Sequence, residues 1–297
     1  MAVSSASKVA GSRQPPTRAV AHLRHGPVVS PPCVTLAPMA RFASPTAPPG
    51  RPRHGRVPGA GVELAYREWP GADPAALPLV LLHGLTGWSA DWEPVVARLP
   101  GGRRIVALDA RGHGASGWAA DEAYAGDAHF ADVATALDAL AIERCILAGY
   151  SMGGSVAILV AGALPERVAG VVVVDSYPAP EMTPGSRAIA EAIALAWPGW
   201  DGAGRFDPAI ARQFADQIAA GDPRRLDLWP LWEAIRSPVL LVRGELSTVL
   251  TAPLAAEMLA RQPAARLETM PAVGHTILFA APGELAARLE RFAAAIG

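Results

Sequence analysis

Two cysteines in 297 residues are too few for a disulfide framework. Cys33 and Cys145 stand far apart, and Cys145 sits in the apolar run "RCILAGY", so no metal-ligand spacing follows from them. No apolar stretch reaches the roughly 18 residues of a membrane span. Lysine is almost missing: Lys8 is the only one, and every other basic residue is arginine. Together with 29 glycines and 29 prolines, this reads as a GC-rich coding bias typical of many bacteria. The expected setting is therefore a bacterial cytoplasm, and no arginine is assigned a phosphate on its type alone. Acidic residues are absent before Glu63, where eight basic residues stand: Lys8, Arg13, Arg18, Arg24, Arg41, Arg51, Arg53 and Arg56. The remainder holds 18 basic against 27 acidic residues, about −9. A nucleic-acid partner, which would want a basic face, is not expected.

The segment before Gly61 is rich in Pro, Ala, Ser and Arg and has no hydrophobic period, as in "SPTAPPGRPRHGR". Such a composition cannot bury enough surface to offset its ordering entropy, so residues 1–60 are expected to be a disordered leader. An acid-free, Arg-rich segment also fits an organelle transit peptide. The simpler readings are a low-complexity leader or a start codon set too early, with Met39 the true start.

What is present lies in 61–297, where a mean hydropathy of +0.23 for the whole chain leaves ample material for a core. Short β-rich runs alternate with helical patterns. The runs are 61–69, 77–84, 103–114, 145–150, 168–175, 238–244 and 265–270. Several are continuously apolar, as in strands buried on both faces. This order predicts an α/β fold: a mostly parallel sheet with helices on both faces. "SADWEPVVARLP" predicts a helix over 89–100 with Ser89 as N-cap, and "DVATALDALAI" another over 132–142. The rhythm breaks at about 178–235, where there is no strand but two helical patterns, 186–197 and 208–220. Four of eight tryptophans fall there (Trp197, Trp200, Trp229, Trp232), which suits a helical lid over an apolar pocket or aromatics packing the insertion down.

"LAGYSMGGSVAILVAGALP" carries G-x-S-x-G at Gly149, Ser151 and Gly153. With this composition roughly 0.1 such matches arise by chance, so the pattern alone is only suggestive. Its context decides: an apolar strand runs into it and a helix leaves it. A turn that sharp strains the serine, exposes its hydroxyl and tolerates only small residues two positions either side. The Met152 N–H would then face a developing oxyanion. After His129 the chain has one histidine, His275, in a loop before the C-terminal helix.

Taken in order, "LLHGLTG", "LDARGHGASG", "GYSMGG" and "VGH" make the body resemble the α/β-hydrolase superfamily. It is most similar to lidded small-molecule hydrolases: meta-cleavage-product C–C hydrolases, enol-lactonases and carboxylesterases. Because Ser151 rather than an aspartate holds the elbow, epoxide-hydrolase and haloalkane-dehalogenase chemistry falls away. The resemblance implies a cofactor-free, metal-free enzyme with Ser151 as nucleophile and His275 as base. It implies the Leu85 and Met152 amides as oxyanion donors, and structural roles for His83 and His113. The expected substrate is a small or medium hydrophobic ester, lactone, thioester or related carbonyl compound, opened through an acyl-enzyme. C–C hydrolysis, a lyase-type step and a perhydrolase use the same Ser-His pair, and a ligand-binding protein without catalysis is the reading from another class.

The acid is out of place. Relatives carry an aspartate after the strand "PVLLVRG", at positions that here hold Ser247 or Thr248. Two carboxylates can replace it: Asp175, at the end of "VVVVDSYP", and Glu245, on the loop itself. Asp175 takes precedence, because neighbouring strand ends share one rim of the sheet. A degenerate triad relying on a hydroxyl ranks third.

Overall fold

Leu79–Leu82 and Val168–Val174 are buried at every position, as only interior strands of a two-sided sheet are. A computed structural model describes residues 49–196, 205–221 and 226–297, and all of these belong to one compact unit. Its sheet has eight strands: β1 (Arg53–Pro58), β2 (Glu63–Trp69), β3 (Leu79–Leu82), β4 (Ile105–Leu108), β5 (Cys145–Tyr150), β6 (Val168–Val174), β7 (Val239–Gly244) and β8 (Ala265–Met270). They lie in the order β1-β2-β4-β3-β5-β6-β7-β8. β2 pairs antiparallel with both β1 and β4, and every other pairing is parallel.

The two-residue period of a strand sends alternate side chains to opposite faces. Val80, Leu82, Leu147, Val171 and Leu241 enter one core, with α2 (Gly126–Ala139), α3 (Met152–Ala163), α6 (Trp229–Ala234) and α7 (Ala252–Arg261). Leu79, Leu81, Ile146, Val172 and Leu240 enter the other, with α1 (Glu93–Val96), α8 (Ile277–Ala280) and α9 (Pro282–Ala294). The sandwich is the α/β fold that the alternating pattern predicts. Among the described residues no helix is long and apolar enough to cross a membrane.

Three expectations need correction. β1 lies inside the segment taken as a structureless leader; only Val57 of its six residues is buried, so it is held mainly by the backbone ladder of β2 rather than by a core. Residues 1–48 lie outside the described residues. The helix expected over 89–100 is a 3-10 turn, Ser89–Trp92, followed by α1. Ser89 does not cap it: its amide donates to Asp109 at 2.7 Å, and its hydroxyl accepts from Arg67. Finally, α2 starts at Gly126 and ends at Ala139, so most of the expected 132–142 stretch belongs to it.

Between β6 and β7 the insertion holds α4 (Pro184–Ala196), α5 (Pro208–Ala219) and α6, the last of which the pattern did not predict. Asp207 caps α5 by accepting from the Ala209 amide at 2.9 Å, and Pro208 opens it. Trp232 is fully buried against α3, its Nε1 donating to the Met258 carbonyl at 2.9 Å. Trp229 is covered by the Arg261 guanidinium, 4.1 Å from its ring centroid. Both tryptophans pack the insertion onto the core. Trp197 and Trp200 lie outside the described residues.

Candidate active site

All parallel strands end on one rim, so the residues that follow β3, β5, β6 and β7 are brought together by topology. The apolar strand β5 turns into α3 at Ser151, whose φ of 53° and ψ of −116° lie outside the ordinary regions for a side-chain-bearing residue. The flanking glycines make the turn possible. A Cβ on Gly149 would stand 2.0 Å from the Gly153 carbonyl oxygen, and one on Gly153 would stand 2.4 Å from that of Leu82. Backbone meets backbone at both places, so no side chain fits.

His275 follows β8 and reaches across to this turn. Its Nε2 lies 3.1 Å from the Ser151 hydroxyl, and its Nδ1 lies 2.7 Å from Asp175 Oδ2. Asp175, one residue beyond β6, is completely buried, with a positive φ of 47°. Three donors converge on its carboxylate: the His275 ring, the Ser247 hydroxyl at 2.5 Å and the Gly244 amide at 3.2 Å. Ser247 in turn accepts from the amides of Val249 and Leu250, which fixes its hydroxyl.

Glu245 is not brought to His275. It is exposed and accepts from the Ala272 amide at 2.8 Å, bracing the backbone three residues before the histidine. Among the described hydrogen bonds none joins Thr248 to the imidazole either; its carbonyl accepts from the Gly185 amide at 3.0 Å.

On the opposite side of Ser151 the loop after β3 is held by His83. Its Nε2 accepts from the Ala110 amide at 2.9 Å, so its Nδ1 carries the proton that is donated to the Gly84 carbonyl at 2.7 Å. With both ring nitrogens committed, His83 shapes the loop. Thr86 completes the turn at a φ of 63°. Among the described residues the amides of Leu85 and Met152 donate to no protein acceptor, and both residues line the cavity onto which Ser151 opens.

That cavity holds about 720 Å³, within the range of small-molecule sites. Helices α4 and α5 supply one wall through Ile189, Ile210 and Phe214, and α3 supplies Val156 and Leu159. Neither Trp229 nor Trp232 lines it; aliphatic and methionine side chains do, together with the rings of Phe214, Tyr124 and Tyr177. Among the described lining residues there is no lysine or arginine, and the one carboxylate is that of Asp127.

A profile described as the alpha/beta hydrolase family matches residues 79–288, about 70% of the sequence. The chain belongs to the alpha/beta hydrolase family. A 3-hydroxybutyrate-oligomer hydrolase of Cupriavidus necator is 30% identical over 280 residues, 78% of this chain and 93% of that protein. An sn-1-specific diacylglycerol lipase of Xenopus tropicalis is 41% identical over 120 residues, but the match spans only 37% of the lipase. Among solved structures, an alpha/beta hydrolase from Novosphingobium aromaticivorans superimposes with a TM-score of 0.66 at 27% identity, covering 81% of this chain and 98% of that one.

In this alpha/beta hydrolase the remaining described histidines of the rim are held neutral. Burial lowers the pKa of His83, that of His113 to about 3 with the nearby His83 adding to it, and that of His129 to about 4. None can act as a base near neutral pH while also being protonated in turn. Cys145 is equally inert, burial pushing its thiol up to about 12. Among the described residues no group of His, Cys, Asp and Glu side chains is arranged to hold a metal.

Sequence reasoning missed two contacts of the hydrolase site. Tyr150, the residue before the elbow serine, lies with its ring 5.1 Å from that of His275 and limits where the imidazole can sit. Ser247, weighed only as a poor substitute for an acid, binds the acid instead. The first signal was legible in an aromatic next to Ser151; the second needed the fold, because 72 residues separate Ser247 from Asp175.

Proposed function

We propose that this chain is a serine hydrolase that opens a neutral, small or medium-sized ester, lactone or thioester through an acyl-enzyme. The observation that carries the reading is one imidazole, that of His275, spanning the Ser151 hydroxyl and the buried Asp175 carboxylate beside a cavity of substrate size. Ser151 Oγ attacks the carbonyl carbon while His275 Nε2 takes its proton. Asp175 keeps the other proton on Nδ1 and compensates the imidazolium that forms. The carbonyl oxygen, now negative, accepts from the Leu85 and Met152 amides; losing one such donor typically costs about 3 kcal/mol of transition-state stabilisation. As the intermediate collapses, the leaving group departs with the proton from Nε2. Water then attacks the acyl-enzyme by the same route, giving the acid and regenerating Ser151.

Ser247 and the Gly244 amide keep the Asp175 carboxylate turned toward His275. A neutral substrate is favoured because no described cavity residue would pair with a substrate carboxylate, while Asp127 would repel one. The Cupriavidus relative, named for cleaving hydroxybutyrate oligomers, supports ester hydrolysis as the reaction type. C–C hydrolysis, a lyase step and peracid formation draw on the same Ser-His pair, and profiling against esters and diketones separates them. The helical insertion acts as the lid in this reading, since α4 and α5 wall the cavity.

The test is covalent. A fluorophosphonate should label the protein on Ser151, located by peptide mass, and Ser151→Ala should lose both the label and ester turnover. Wild-type protein that fails to react, or a Ser151→Ala protein that still turns over esters, would overturn the reading.

A further inference from the structure

Two halves of the candidate machinery reach Ser151 from opposite sides of β5. The oxyanion turn follows β3, the neighbour of β5 on one side, and His275 follows β8, three strands away on the other. Tyr150, the last residue of β5, touches both. Ile146, Ala148 and Tyr150 share one face of the strand, and that face enters the core that holds Ile277 and Leu278 of α8. Tyr150 is buried, and its backbone stands opposite Val174 in the ladder to β6. One edge of its ring lies against Gly84: a Cβ on that glycine would stand 2.9 Å from both Cδ1 and Cε1 of Tyr150. The Gly84 carbonyl accepts from His83 Nδ1 and from the Gly87 amide, so the ring abuts the locked turn that presents the Leu85 amide. On its other side the ring centroid lies 5.1 Å from that of His275, with 31° between the planes, a separation typical of paired aromatic rings.

We propose that Tyr150 is a positioning residue for both halves, its ring fixing the plane of the His275 imidazole and the distance of the oxyanion turn from Ser151. The inference rests on the serine hydrolase reading above for the roles of those groups. His275 is held by two hydrogen bonds, Nε2 to Ser151 and Nδ1 to Asp175. They run in roughly opposite directions from the ring, so together they leave the imidazole able to swing about the line that joins them. A neighbouring ring against its face removes that swing, and Tyr150 supplies one. At the other edge Gly84 stands between Tyr150 and Ser151, since a Cβ on it would also come within 3.3 Å of the Ser151 Cβ. The tyrosine ring is thus a spacer that sets how near the Leu85 amide stands to the nucleophile. Tyr150 is not among the residues that line the cavity, so it acts on the reacting groups without touching substrate. Among the described residues no hydrogen bond engages its hydroxyl, which leaves the role to the ring rather than the phenol.

The experiment compares wild type with Tyr150→Phe, which keeps the ring, and Tyr150→Leu, which keeps an apolar side chain without a plane. Turnover of 4-nitrophenyl butyrate is measured per site titrated to completion with a fluorophosphonate, so that unfolded protein does not count. Tyr150→Phe should stay within about twofold of wild type in kcat. Tyr150→Leu should lose about 10- to 10²-fold in kcat, with KM within about twofold, because reacting groups are displaced while the cavity is not. Should Tyr150→Leu fail to fold, Tyr150→Met fills the same space with a more adaptable chain and carries the same expectation. Wild-type kcat per site in the ringless variant reduces Tyr150 to packing and overturns the proposal, as does a rise in KM with kcat kept. A Tyr150→Phe protein as impaired as Tyr150→Leu moves the effect to the hydroxyl and overturns it equally. A second measurement needs no turnover: the proton that His275 Nδ1 shares with Asp175 gives a far-downfield resonance in the proton NMR spectrum. It should persist in Tyr150→Phe and broaden or vanish in Tyr150→Leu, where a swinging imidazole opens it to exchange; an unchanged resonance in Tyr150→Leu refutes the positioning. Wild-type protein that does not react with a fluorophosphonate strikes instead at the hydrolase reading, and the resonance then decides the role of Tyr150.

Discussion

The ends of β6 and β7 are neighbours on the rim, and they have divided one task between them. β6 ends in Asp175, a buried carboxylate that meets the imidazole directly. β7 ends in Gly244 and leads to Ser247, which contribute an amide and a hydroxyl to that same carboxylate. The charge sits on one strand end and its scaffold on the next. Relatives that carry the acid after the later strand would reach the imidazole from the position Ser247 occupies here, so the geometry of the rim, rather than either strand alone, defines where an acid works. Ser151 and Asp175 both stand at this rim with positive φ, and both bear side chains of the candidate triad.

The division breaks most completely at Asp175. Asp175→Asn leaves the shape intact but removes the charge and presents the wrong hydrogen-bonding partner to Nδ1, so kcat should fall by about 10³- to 10⁴-fold with little change in KM. A fall of less than tenfold would mean that the charge lies elsewhere.

Gly244→Ala attacks the scaffold from the β7 side. Its Cβ would stand 2.3 Å from the Gly274 carbonyl oxygen and 2.6 Å from that of Val273, so the loop bearing His275 must move. A displacement near 1 Å is enough for roughly a 10²-fold loss in kcat. Fluorophosphonate labelling should slow in proportion, and wild-type rates in this variant would show that the loop tolerates the shift.

Ser247→Ala tests the scaffold with the charge retained. Losing one donor to a buried carboxylate should lower kcat by about tenfold. Ser247→Thr, which keeps a hydroxyl, should restore most of the rate. A flat response of kcat to Ser247→Ala would reduce Ser247 to packing.

How much of this was legible in the sequence differs along the rim for a physical reason. β3, β5, β6 and β7 announce themselves because burial on both faces demands unbroken apolar runs. Ser151 is legible because its strain demands local glycines. β1 is not, since an edge strand held by its ladder needs no apolar pattern, and "RHGRVP" has none. The elbow and the base are therefore local readings. The acid is a distance between elements 100 residues apart, His275 and Asp175, and a sequence offers candidates for it without choosing.

The smallest effect is expected at the carboxylate nearest in sequence to where relatives carry their acid. Glu245 is exposed, and its Oε2 accepts from the Ala272 amide, a residue at a positive φ of 57°. It braces the turn that leads into His275, yet no described contact joins it to the imidazole. Glu245→Gln keeps an oxygen that can accept from the same amide, and an exposed hydrogen bond of this kind contributes about 1 kcal/mol. Its kcat should stay within about twofold of wild type, and the thermal midpoint should shift by no more than roughly 2–4 °C. Should Glu245→Gln instead lose activity by orders of magnitude while Asp175→Asn keeps it, the division of labour between β6 and β7 would be reversed: the charge would belong to the later strand, and Asp175 would be its scaffold.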